Sequence, residues 1–139
     1  MIEERQILNF WPPKLDGDAI SDKRRYMIIT KDNEKIEMIN ISKMDGKNVK
    51  QLLKDYNIEL KDYYPFKLPS FAKTNTLYTI EYFPELENFI SFGGKKLNEE
   101  DFNNIILSRE EYVNKTGNNK IINFTKEEFL NENLITLSS

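Results

Sequence analysis

The sequence predicts an α+β domain, mainly β, in which a small, strongly bent antiparallel barrel has a C-terminal helix packed at its edge. Its 139 residues suit one domain, residues 1–139, with a hydrophobic core of its own. Short runs of strand-forming residues come first along the chain, and the clearest helical signals follow them. Because short strands linked mostly without helices do not make a parallel sheet, an antiparallel barrel is expected.

Runs of β-branched, aromatic and other apolar residues predict five strands, over residues 6–11, 25–30, 36–41, 74–83 and 88–96. The second and third runs, RYMIIT and IEMINI, flank a short polar turn at 32–35 and predict a β-hairpin. Pro12, Pro13 and Gly17 interrupt the chain between the first two strands, so residues 12–22 are a predicted loop.

Two helices are predicted in the middle and second half of the chain. Residues 45–57 place apolar side chains at helical spacing and predict a short amphipathic helix. The stronger signal lies over 97–115, where Asn98 is a favourable N-cap and acidic residues fill the first turn. Leu97 and Phe102 occupy the two positions of a hydrophobic staple, which supports a helix beginning there.

A further helix start is predicted near the end of the sequence. Thr125 and Glu128 match a capping box, and Phe124 and Phe129 match the staple that accompanies it. Residues 116–139 are therefore predicted to form a C-terminal helical extension of the same domain.

Composition narrows the chemistry that is possible. The chain has no His and no Cys, which removes the usual general base, the commonest metal ligand and all thiol chemistry. No cofactor and no metal site are therefore predicted. Cys-free composition suits the cytoplasm, and no apolar run approaches the ~20 residues that span a bilayer, so no membrane partner is expected. Residues 14–73 carry 13 Lys and Arg against 10 Asp and Glu, which favours this region for an anionic partner.

The predicted hairpin brings chemically useful side chains to one place. Arg24 opens one strand and Ser42 closes the next, so antiparallel pairing puts both at the same end. A guanidinium is planar, permanently charged and donates in a fork, and a hydroxyl adds one more donor, so the pair suits a phosphate. The structural alternative is that Arg24 and Arg25 form surface ion pairs with Asp18 or Asp22.

The order of these residues resembles the MazF/Kid (PemK-like) toxins of bacterial toxin–antitoxin systems. RRYMII puts Arg24 in the position of the family's strand-opening Arg, and INIS puts Ser42 where the family usually has Thr or Ser. In LPSFAKTNTLYTIE, Lys73 takes a basic position and Asn75 the position of an acid or amide. GGKKLNEEDFNNII is similar to the Gly-Lys-Leu that precedes the family's last helix, and the resemblance covers roughly residues 6–113.

The resemblance implies an SH3-like barrel of the MazF and CcdB kind. It also implies a metal-independent endoribonuclease that cleaves single-stranded RNA through attack by the RNA's own 2′-OH. The implied partners are single-stranded RNA, a second copy of the chain in a homodimer, and an antitoxin that is a protein or an RNA. Arg24 and Ser42 take the catalytic positions, and the implied RNA-binding residues are Arg25, Lys43, Lys73 and Asn75.

Two other functions stay open at this point. Arg25 stands where the family usually has Pro, and Lys73 with Asn75 replaces an Arg and an acid, which favours a non-catalytic interaction module from a phage or mobile element. A toxin that acts on a protein target, as CcdB does, is the other alternative. Trp11 and Tyr26 are candidates either for stacking on RNA bases or for the core.

Overall fold

The computed structural model describes residues 2–13, 23–32, 34–43, 57–61, 65–66 and 69–138. Their elements in chain order are β1 (Ile7–Phe10), β2 (Arg24–Lys31), β3 (Lys35–Lys43), β4 (Asn57–Glu59), β5 (Ser70–Glu81), α1 (Glu99–Thr116), β6 (Lys120–Phe124) and α2 (Lys126–Ser138). The six strands form one sheet, so the predicted α+β class, mainly β with a C-terminal helix, is confirmed. The sheet is open over the part of the chain described, and its closure into a barrel stays a prediction.

The predicted hairpin is confirmed as the antiparallel pair β2–β3. Arg25 pairs with Ile41 at one end and Lys31 with Ile36 at the other, with a register shift between Ile28 and Thr30. At the turn, the Asp32 carboxylate accepts hydrogen bonds from the backbone N–H groups of Glu34 and Lys35, both at 2.7 Å. These bonds lower the pKa of Asp32 and fix the direction in which the chain reverses.

Strand β5 is the long central strand of the sheet. One of its edges pairs with β3, and its other edge is shared between β4 at Phe71–Lys73 and β6 at Thr76–Ile80. The register with β3 breaks between Met38 and Asn40, so the two halves of β5 meet β3 in different frames. Such irregularities increase the local twist and bend of a strand.

Strand β6 corrects the sequence prediction in two ways. The region 116–139 was expected to be helical, whereas Lys120–Phe124 is a strand and only Lys126–Ser138 is helix α2. In addition, β6 runs parallel to β5, whereas an all-antiparallel sheet was expected. The reason is that α1 lies between the two strands in the chain and provides the crossover that parallel pairing requires.

The sheet buries side chains on both faces. The side that packs on α2, called here the α2 face, is built from a cluster that includes Leu8, Phe10, Tyr26, Ile28, Met38, Tyr78, Phe124 and Phe129. The side that packs on α1, called here the α1 face, is built from Ile7, Met27, Ile39, Ile41, Ala72, Leu97 and Ile105, among others. Alternation along β2 therefore sends Tyr26 to the α2 face and Met27 to the α1 face.

The predicted helix caps are confirmed. The Asn98 side chain accepts hydrogen bonds from two backbone N–H groups in the first turn of α1, which ends at Gly117 in the left-handed conformation, with φ of 69°. Thr125 and Glu128 form the reciprocal capping box of α2 at 3.0 and 3.1 Å. Arg109 then anchors α1, because its buried guanidinium donates to the Thr74 carbonyl, to the Asn119 side chain and to the Lys120 carbonyl.

The strand predicted over 88–96 is wrong. This region holds two short 3₁₀ helices, Pro84–Phe89 and Phe92–Gly94, and only Ile90 makes a β-bridge, to Leu8. Pro at the start of the first segment favours a helical turn. In the second, Gly93 and Gly94 have positive φ angles, which are incompatible with a continuous strand.

Some predictions fall on residues outside the described ranges. The helix predicted over 45–57 is one, since residues 45–56 are not described and Asn57 begins β4. The ion pairs considered for Asp18 and Asp22 are others. Among the helices that are described, none combines the length and apolar character needed to cross a bilayer.

Candidate functional site

The two predicted catalytic residues lie at the same end of the sheet. Arg24 is the first residue of β2 and pairs with Phe10 of β1. The last residue pair of the β2–β3 register at this end is Arg25 with Ile41, and Arg24 and Ser42 are the next residue of each strand. Because side chains alternate along a strand, Arg24 and Ser42 lie on the same face of the sheet as Tyr26 and Asn40. The register thus puts both residues at the same end of the hairpin, and their convergence on one phosphate stays a prediction.

Asn40 is a member of this site that the sequence analysis did not single out. Ser42 Oγ donates to Asn40 Oδ1 at 3.2 Å, and Asn40 Nδ2 donates to the Arg25 carbonyl at 3.0 Å. The Asn40 side chain is 7% exposed, so these contacts hold it in a defined orientation. Its position two residues before Ser42 on the same strand is the signal that could have identified it. Asn40 thus positions the Ser42 hydroxyl.

Two of the predicted RNA-binding residues, Lys43 and Lys73, lie in the strand segments next to Ser42 and Asn40, and a third, Asn75, lies farther along β5. Lys73 pairs with Asn40 across β3 and β5, and its Nζ lies 6.0 Å from the centre of the Phe71 ring. The Lys43 backbone pairs with Ser70, directly beside Ser42. Asn75 is half-buried and lies in the part of β5 where the register with β3 breaks, outside this pairing row.

Arg25 lies on the opposite side of the sheet from Arg24. Its guanidinium carbon is 5.6 Å from the centre of the Phe66 ring and 5.4 Å from that of Phe92. These two rings meet edge to face at 5.2 Å and so form a cation–π pocket on the α1 face. The structure therefore does not bring Arg25 together with Arg24 and Ser42, and strand alternation explains why.

Three polar groups of residues at this end of the sheet are buried without a hydrogen-bond partner among the described residues. They are Arg24 Nε, the Tyr26 hydroxyl and Trp11 Nε1. Trp11 follows Phe10, the partner of Arg24, and the Asn133 side chain of α2 bonds both its backbone N–H and its carbonyl, at 2.8 and 3.0 Å. Guanidinium and indole groups only donate hydrogen bonds. This end of the sheet is therefore rich in donors that lack acceptors.

Tyr26 is fully buried within an aromatic cluster on the α2 face. Its ring stacks on Phe10 with centroids 4.7 Å apart and meets Tyr78 edge to face at 5.0 Å. Burial raises the pKa of the Tyr26 hydroxyl far above its ordinary value, the neighbouring Tyr78 raises it further, and the positive charge of Arg24 acts in the opposite sense. The hydroxyl is therefore a protonated donor at neutral pH and lies within the electrostatic field of Arg24.

The charge of this site suits an anion. Across the described ranges of the chain, no three acidic side chains lie close enough together to hold a metal ion. Among the residues that the structure describes, the groups at this end of the sheet include cations, a phenol, a hydroxyl and an amide, which favour an acceptor-rich, negatively charged ligand. No protein-family model and no curated protein matches the chain, so the family resemblance rests on the residues quoted above.

Proposed function

We propose that this chain is a metal-independent endoribonuclease toxin of the MazF/Kid type that cleaves single-stranded RNA. The observation that carries the proposal is Arg24, which lies at the same end of the hairpin as Ser42 and has a buried Nε with no acceptor among the described residues. The two non-bridging oxygens of a phosphodiester match the fork geometry of a guanidinium. A phosphate at this position would supply the acceptor that Arg24 lacks and would lie within reach of the Ser42 hydroxyl.

The proposed reaction uses the substrate's own nucleophile. The 2′-oxygen attacks phosphorus, the bond from phosphorus to the 5′-oxygen breaks, and the products are a 2′,3′-cyclic phosphate and a 5′-hydroxyl. The proton lost from the 2′-OH is balanced by the proton that the 5′-oxygen gains. Negative charge builds on the non-bridging oxygens, where Arg24 donates and where Ser42 exchanges its Asn40 acceptor for phosphate. One preorganised donor of this kind contributes about 2.7–4 kcal/mol in other enzymes.

The remaining parts of the proposal extend from this site. Lys73, which pairs with Asn40, is proposed to contact a phosphate next to the scissile one, and Lys43, which follows Ser42 in β3, is retained among the proposed RNA-binding residues. Asn75 and Arg25 bind RNA farther along the chain, Arg25 from the α1 face. In this proposal β5, which has three partner strands, becomes the central strand of an SH3-like barrel. The active species is a cytoplasmic homodimer that a protein or RNA antitoxin inhibits.

A cleavage assay tests the proposal. Wild type, Arg24→Ala and Ser42→Ala are incubated in EDTA with single-stranded RNA and with the same RNA carrying 2′-O-methyl groups, and the product ends are mapped. We expect wild type to cut only the unmodified RNA and to leave cyclic phosphates. Loss of Arg24 lowers the rate by about 10²–10³-fold. Lys31→Ala, at the far end of β2, serves as the matched control and retains full activity.

A non-catalytic interaction module on the same fold is the second candidate. This candidate is favoured because the described part of the site lacks an ordinary general base, which catalysis would need. The described polar residues there are Asn40, Ser42, Lys73 and Tyr26. RNA that is bound but left intact by a folded wild type would establish this module. RNA that is neither bound nor cut would direct attention to a protein target of the CcdB kind.

A further inference from the structure

We propose that Tyr26 is a ligand-binding residue of the same site and that its hydroxyl, together with Arg24, forms a buried pair of donors for an oxyanion of the phosphate class. This inference rests on the proposed function, because the phosphate is that of the bound RNA. It adds a donor that the residues of the family resemblance do not include. Arg24 lies at the strand end and is half-buried, and Tyr26 lies two residues farther in on the same face and is 0% exposed.

Packing explains the ring of Tyr26 but not its hydroxyl. The Tyr26 ring contacts Phe10, Tyr78 and Phe124, with centroids 4.7 to 6.2 Å apart, so the ring is a normal member of the aromatic core. The hydroxyl contributes nothing to these contacts. Among the described residues it has no hydrogen-bond partner, and a buried hydroxyl in that condition lowers the stability of the free protein. Core packing thus explains why the aromatic ring is buried at this position. The proposed ligand explains why the ring carries a hydroxyl.

The hydrogen-bonding character of the two unpartnered groups indicates the kind of ligand. Arg24 Nε can only donate a hydrogen bond, and the Tyr26 hydroxyl, which is protonated at neutral pH, can also donate one. A single acceptor-rich ligand would therefore satisfy both groups, neither of which has a partner among the described residues. A phosphodiester carries no proton at neutral pH and offers acceptors in several directions, so it satisfies both donors at once. A carboxylate has the same charge as a phosphodiester and also two strong acceptor oxygens, but it is planar where phosphate is tetrahedral, so it is the comparison ligand.

Trp11 provides an internal reporter for this site. It is the only Trp in the chain, and it directly follows Phe10, the cross-strand partner of Arg24. Its Nε1 is buried without a partner in the described part of the structure. Its fluorescence is therefore a useful second signal that needs no cleavage, while calorimetry, which needs no nearby chromophore, decides whether the anion binds.

The experiment is a titration of the full chain with sodium phosphate at constant ionic strength. Trp11 emission and isothermal calorimetry are followed in parallel, and sodium acetate is titrated as the carboxylate arm. Tyr26→Phe is expected to weaken phosphate binding by about 10- to 100-fold, since it removes one hydrogen bond to a charged group. Tyr82→Phe is the matched control, because it removes a hydroxyl bonded to Glu87 at 3.3 Å in another part of the protein. It leaves phosphate affinity unchanged.

The outcomes separate this inference from the proposed function. Equal phosphate affinity in wild type and Tyr26→Phe overturns the role of Tyr26, even when cleavage depends on Arg24. Absence of saturable phosphate binding to wild type by both methods overturns the donor pair. Preferred binding of acetate overturns the assignment to phosphate. Conversely, binding that requires Tyr26 in a protein that leaves RNA intact supports the donor pair and refutes the ribonuclease.

Discussion

Replacing Tyr26 by Phe removes one oxygen atom from the α2 face and leaves the ring contacts in place. Because the hydroxyl is buried and has no partner among the described residues, its removal relieves a desolvation cost of about 1–3 kcal/mol. The cavity left by one oxygen, on the order of 10 Å³, costs about 0.2 kcal/mol at ~24 cal/mol per Å³. The variant is therefore expected to be more stable than wild type by roughly 1–2.5 kcal/mol, while it loses phosphate affinity.

Urea denaturation at pH 7 without phosphate measures this difference, and a thermal scan should show a rise in Tm of roughly 3–10 °C. Tyr82→Phe is the control, since its hydroxyl has a carboxylate partner and its loss should leave stability unchanged or slightly lower. Added phosphate should stabilise wild type more than Tyr26→Phe, because a ligand stabilises the state that binds it. A Tyr26→Phe protein less stable than wild type in phosphate-free buffer would refute the reasoning, since the hydroxyl would then have an acceptor already.

Three further predictions concern stability. Burial raises the pKa of Tyr26 in the folded state, so above about pH 10 the unfolded state loses the phenolic proton while the folded state still holds it. Wild-type stability should thus fall about 1.36 kcal/mol per pH unit more steeply than that of Tyr26→Phe in alkaline urea titrations. Asn133→Ala leaves the Trp11 backbone N–H and carbonyl without partners, so we expect a loss of roughly 1–3 kcal/mol and red-shifted emission. Arg109→Met removes three hydrogen bonds that hold α1 and should cost roughly 2–4 kcal/mol in urea, whereas Glu110→Ala should be neutral.

Local sequence signals were sufficient for part of the fold. The hairpin β2–β3 and the start of α1 were predictable because their determinants lie within a few residues: apolar runs around a polar turn, and Asn98 with its acidic first turn. Strand β6 was not predictable in this way. Its five residues pair with β5 only because α1 carries the chain across the sheet, and this dependence on a distant element leaves no local pattern.

The candidate site shows the same division. The hairpin geometry was enough to place Arg24 and Ser42 at the same end of β2 and β3. The face on which each side chain lies could be assigned only from the structure. The observed register puts Arg25 on the other face from Arg24, and it adds Asn40 and Tyr26 to the candidate site. Period-two counting from Ser42 or from Arg24 was the available signal for these two additions.

The division of one β5 edge between two strands has a consequence for synthesis. The hairpin β2–β3 precedes β5 in the chain and can cover its first edge as soon as β5 leaves the ribosome. The part of the other edge that belongs to β6 has to wait, since Thr79 and its β6 partner Asn123 are 44 residues apart. At about 5–20 residues per second this half-edge is unpaired for about 2–9 seconds. An unpaired edge invites pairing with another chain, so each nascent copy passes through a brief period in which premature association competes with the arrival of its own last strand.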